Sequence, residues 1–155
     1  METKARPAIY ALILAMTMAT IGAAQNQTTF RVRLSPVARD TSMQATVTGS
    51  GSATAVLAGT KLTITGEFQD MRSAATVAHI HSGVAAGVRG PAVFDLTVEK
   101  AESGKLSGSF NLTAEQIESL HKGRLYIQIQ SEKAPEGAVW GWLLPQRRLV
   151  NVQEA

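Results

Sequence analysis

The stretch FDLTVEKAESGKLSGSF at 94–110 is where the fold is read most directly. Phe94, Leu96 and Val98 alternate with Asp95, Thr97 and Glu99, the two-residue period that gives a strand one buried and one wet face. Ser103 and Gly104 turn the chain into a second alternating set at Leu106 and Phe110, so the segment predicts a β-hairpin.

The same beat recurs on either side. Phe30, Val32 and Leu34 alternate with Arg31 and Arg33 until Pro36 ends the strand. The stretch 45–57 is rich in Thr, Val, Ser and Ala; Ala58 and Gly59 turn it into Leu62, Ile64 and Phe68, which alternate with Thr63 and Thr65. In Thr76–His81, Ala78 and Ile80 share one face while Val77, His79 and His81 share the other. Leu125, Ile127 and Ile129 point inward in a further strand, then 131–137 reads as a polar loop before a last strand, Val139–Leu144, stopped by Pro145.

One helix interrupts the strands. Thr113 and Gln116 form a capping box, Ile117 and Leu120 supply an apolar face, and Lys122 and Gly123 mark the end. The pattern predicts an all-β chain: a Greek-key β-sandwich or barrel of seven to eight strands with one short helix.

Composition narrows the class. A chain of 155 residues with 45% hydrophobic and 17% charged residues suits one packed domain and excludes a solvated, disordered one. With few aromatics, the core must come from Val, Leu, Ile and Ala. The absence of cysteine removes disulfides, thiolate metal sites and cysteine nucleophiles. The net charge of +3 is spread out, with no basic run longer than Arg147-Arg148, so the clustered footprint of a nucleic-acid binder is missing.

The N-terminus reads as an export signal. Lys4 and Arg6 precede an apolar run from Ala8 to Ile21, and Gly22, Ala23 and Ala24 provide small residues for cleavage after Ala24. That run is shorter than the roughly 20 residues a membrane-spanning helix needs. The expected organisation is a signal peptide at 1–24, a β domain at 25–145 and a tail at 146–155, with no membrane span in the mature chain. Asn26 and Asn111 each sit in an acceptor triplet for glycosylation, which matters only in a eukaryotic host.

Two groups of motifs resemble the CHRD (chordin) domain family. The first is Ala78-His79-Ile80-His81-Ser82-Gly83, continued through a glycine-containing loop into Gly90-Pro91-Ala92-Val93-Phe94-Asp95-Leu96. The second is Leu112-Thr113-Ala114-Glu115-Gln116 followed by Gly123-Arg124-Leu125-Tyr126-Ile127. The likeness spans about residues 30–144 and resembles the single-domain type exported by bacteria. It implies an extracellular β-sandwich or barrel module. Gln130 departs from the pattern, since members often carry a His there.

His79 and His81 are the sharpest candidate site. Two apart in a strand, they leave the same face about 6 to 7 Å apart, a spacing at which two imidazoles can converge on copper or zinc. A third ligand would come from His121, Asp95 or a partner chain, or from Gln130 if the fold brings it near. The competing reading is that the pair hydrogen-bonds loop carbonyls and fixes the glycine-rich turn at 82–91. Three histidines cannot build the two-metal site of a copper/zinc dismutase.

Catalytic constellations are not evident. Ser82 and His81 are strand neighbours that point to opposite faces, Glu132 and Glu136 read as solvated loop carboxylates, and Gly83, Gly87 and Gly90 lack phosphate-loop spacing. Trp140 and Trp142 share one face of the last strand and are expected inward, as core; outward, they would form an aromatic platform for a sugar or protein. The expected function is an exported, non-enzymatic binding or structural module acting on a protein or envelope partner without an obligatory cofactor. The alternative is an extracytoplasmic metal-binding protein using His79 and His81.

Overall fold

In the computed structural model, residues 26–37 and 40–146 are described. The expected signal peptide at 1–24 and all but the first residue of the expected tail lie outside the described residues. The strands are β1 (Gln27–Pro36), β2 (Ser50–Ala58), β3 (Lys61–Gln69), β4 (Ala75–Ser82), β5 (Ala92–Val98), β6 (Gly104–Asn111), β7 (Leu125–Ser131), β8 (Ala134–Trp142) and the two-residue β9 (Leu144–Pro145). One helix, α1 (Ala114–His121), separates β6 from β7, and a single 3-10 turn at Thr41–Met43 lies between β1 and β2.

Hydrogen-bonded neighbours run β2-β3-β6-β5-β4-β7-β8-β1, and β1 pairs back to β2 along Gln27–Leu34, which closes the sheet. Every pairing is antiparallel. The fold is therefore a closed eight-stranded antiparallel barrel with one short helix, the barrel of the two all-β forms expected.

Period-two patterning fills the interior. Phe30, Leu34, Leu62, Ile64 and Ile80 are all at or below 1% exposure, and each alternates with a more exposed neighbour along most of its strand; Ile127 and Ile129 are buried as deeply. The core is dominated by Leu, Ile, Val and Ala, as the composition requires. Strand β7 breaks the alternation: Leu125, Tyr126, Ile127, Gln128 and Ile129 are all buried, because something also covers its outer face.

The helix forms as its sequence dictates. Thr113 Oγ1 accepts from the amide of Gln116 at 3.2 Å and Gln116 Oε1 accepts from the amide of Thr113 at 2.9 Å, so two orphan donors of the first turn are satisfied reciprocally. Leu120 is fully buried, Ile117 packs on the core, and Gly123 adopts φ +66° to end the helix. On its exposed side Lys122 Nζ donates to Glu118, and that bond, together with the ammonium charge, holds the Glu118 carboxyl below its usual range.

One expectation needs correcting. The stretch 131–137 is not a long polar loop: β8 starts at Ala134, leaving Glu132 and Lys133 as the turn, because Ser131 pairs directly with Ala134. Pro36 ends the first strand as expected, as its last paired residue, opposite Val139. A proline fits there because its carbonyl can still accept and the strand ends beside it. The 3-10 turn was not expected; Asp40 caps it by accepting from the amides of Ser42 and Met43.

Candidate binding face on the outer wall of the barrel

The covering of β7 builds the site. Strand β4 sits between β5 and β7, with Ala78 and Ile80 facing Leu96, Phe94, Ile129 and Ile127 across the inner side. His79 and His81 therefore face outward, opposite Gln128 and Tyr126 of β7. Strand β8 continues the row, with Trp140 paired to Gln128 and Trp142 to Tyr126.

Five rings meet along this outer wall. His81 stacks on Tyr126 at 4.9 Å with planes 13° apart, and Tyr126 stacks on Trp142 at 4.8 Å and 27°. Trp140 meets Trp142 edge-on at 4.7 Å and Tyr126 at 5.9 Å, while His79 approaches His81 edge-on at 5.8 Å. Such offset and edge contacts match the aromatic quadrupole and add to the area they bury.

The glycine-rich loop at 83–91 folds over this row. His81 Nδ1 meets the Gly90 carbonyl at 2.9 Å, and since that oxygen only accepts, neutral His81 carries its hydrogen on Nδ1. Tyr126 Oη accepts from the Gly90 amide at 3.0 Å and donates to the Gly90 carbonyl at 3.2 Å. The Arg89 guanidinium lies 5.1 Å over the Trp140 ring and donates to the Glu136 carbonyl, which also accepts from Gln128 Nε2. Together these contacts leave Tyr126 only 1% exposed on a face that would otherwise be wet.

Gly90 is required by close approach. A Cβ there would lie 1.8 Å from the Ser82 carbonyl oxygen, which no side chain tolerates without moving backbone. The residue lets the loop lie flat on β4.

The candidate ligands are distributed as follows. His79 Nε2 stands 3.4 Å from Asp95 Oδ1, with the carboxylate almost wholly in water. His121 sits at the end of α1 with its ring 5.7 Å from Phe30. Gln130 pairs with Val77. Among the described residues no group of three or more His, Cys, Asp or Glu is placed to hold a metal ion. His81 Nε2 is buried with no hydrogen-bond partner.

The tryptophans correct a second expectation. Val139, Gly141 and Leu143 occupy the inward positions of this part of the chain, so Trp140 and Trp142 lie on the outer wall, half-buried against Tyr126 rather than inside the barrel. The barrel interior beside Val32 has no room there: even a Cβ on Gly141 would approach Val32 to 2.7 Å and the Arg33 carbonyl to 2.3 Å. Beside the indoles an open groove of about 610 Å³ runs between Arg31 and Arg33 of β1 and Trp140 and Trp142 of β8.

A family model for the CHRD domain matches residues 19–143. The chain belongs to the CHRD domain family. No curated protein and no solved structure matches it. The two sequence motifs that carried the resemblance are neighbours in the CHRD barrel: the His79–His81 strand, the Gly90 loop and the Tyr126 strand meet at one set of hydrogen bonds.

Sequence reasoning selected His79 and His81 and offered a bond to a loop carbonyl, which His81 makes to Gly90, but missed Tyr126 as its stacking partner and Arg89 as the cation over Trp140. Tyr126 looks like one more residue of an alternating strand, and only its position opposite His81, 45 positions away in the chain, gives it a role. The one available signal was the coincidence of a buried-type strand with a tyrosine on its wet face. Among the described residues no helix is long and apolar enough to cross a membrane.

Proposed function

We propose that this CHRD domain is an exported, non-enzymatic binding module that engages a partner of the cell envelope or exterior through the outer wall of its barrel. The observation that carries the reading is the placement of Trp140 and Trp142. Large aromatic side chains half-buried on the outside of a closed barrel, beside an open groove, suit a recognition surface. Export is supported by Lys4, Arg6 and the apolar run that follows them. The reading also takes the strand order, with β6 beside β3 and β7 beside β4, as Greek-key connectivity.

Adsorption of the purified protein to isolated envelope material tests it. Saturable adsorption is expected, with the tryptophans becoming shielded from a soluble quencher. No adsorption with unchanged quenching, or chemical turnover of the material, would refute the reading.

The second reading is extracytoplasmic copper or zinc binding by His79 and His81. The buried, unpartnered Nε2 of His81 near the His79 ring is the feature in its favour. The Nδ1–H bond to the loop carbonyl leaves that Nε2 its lone pair; against the reading, His79 Nε2 faces Asp95 and, among the described residues, no group of three or more ligands is placed to hold a metal ion. Calorimetric titration of wild type and a His79→Ala, His81→Ala double variant with copper and zinc separates the two. We expect equally weak uptake by both, with the variant less stable by about 1–3 kcal/mol from the lost bond and stacking. A stoichiometric site of about 1 μM or tighter in wild type alone would establish the metal reading instead.

A further inference from the structure

The groove beside the indoles has a chemistry of its own. Strand β1 is laddered to β8 at Ser35 and Pro36 and to β9 at Phe30 and Arg31, and the groove of about 610 Å³ lies over the interval between these ladders. One side carries Arg31 and Arg33, the other Trp140 and Trp142, and Ser52 and Thr54 of β2 add hydroxyls beyond the arginines.

Among the described residues no carboxylate lines it. Both arginines are exposed, and neither has an ion pair among the described residues. A guanidinium pair without a protein counter-charge suits carboxylates, which it can hold bidentately. The indoles, both lining the groove, suit a flat apolar face. An extended peptide would ordinarily bind by adding to a strand edge, but in this closed wall β1 is already flanked by β2 on one side and by β8 and β9 on the other.

We propose that this groove binds an acidic polysaccharide, with uronate carboxylates on Arg31 and Arg33 and pyranose faces against Trp140 and Trp142. The inference rests on the binding-module reading and narrows it to one ligand class.

The test is titration of the purified protein with oligogalacturonate, followed by tryptophan fluorescence, with dextran as neutral sugar and polyglutamate as acidic polypeptide. A saturable change with oligogalacturonate alone is expected. It should weaken at least about tenfold between about 50 and about 500 mM salt, because the attraction is between exposed charges. It should also weaken at least about tenfold in an Arg31→Gln, Arg33→Gln variant that keeps the wild-type circular dichroism. If that variant does not fold, the salt dependence of wild type decides. No saturable change, an equal response to dextran or polyglutamate, or self-association that shields the indoles would overturn the assignment. Loss of the sugar response with envelope adsorption retained removes the polysaccharide only; loss of both removes the module reading as well.

Discussion

Tyr126→Ala is expected to destabilise the domain by about 3–5 kcal/mol, the cost of deleting a large buried aromatic side chain. The ring is 1% exposed and stacks between His81 and Trp142, so its removal opens the outer wall and leaves the loop at 83–91 without its main support. Tyr126→Phe isolates the hydroxyl. It keeps the stack but strands the Gly90 amide and weakens the hold on the Gly90 carbonyl, for about 1–2 kcal/mol. Urea unfolding of the three proteins checks both figures. An alanine variant within about 1 kcal/mol of wild type would mean that the outer wall adds nothing to the fold.

Gly90→Ala should cost about 2–4 kcal/mol although it adds a single methyl group. The new Cβ would meet the Ser82 carbonyl oxygen at 1.8 Å, its carbon at 2.6 Å and the Gly83 Cα at 2.9 Å, all backbone atoms that cannot swing aside. The loop must lift, and with it go the bonds from His81 and Tyr126. Val84→Ala in the same loop is the control, because Val84 is 78% exposed and its loss should fall within about 0.5 kcal/mol of wild type. Limited proteolysis should cut the Gly90→Ala loop much faster than that of either wild type or Val84→Ala. Equal cleavage of all three would show that the loop is not held by its contacts at Gly90.

The fold was legible to the extent that it is local. The alternation at 94–110 became β5 and β6, that at 62–68 became β3, and the Thr113–Gln116 box formed with both of its hydrogen bonds. Boundaries failed where a tertiary partner extended a strand, as at Ala134, which pairs with Ser131. The tryptophans failed for a different reason. A period of two states that Trp140 and Trp142 share a face, but it is silent on which face is inside.

The sequence by itself determined an all-β chain with one capped helix, a core of aliphatic residues and two histidines on one side of a strand, since each of these follows from neighbours within a few positions. Tertiary structure alone decided that the sheet closes on itself, that the indoles lie outside it and that a glycine loop seals Tyr126 beneath Gly90. Those outcomes depend on register between strands far apart in the chain, where shifting one strand by a single residue exchanges its inner and outer faces.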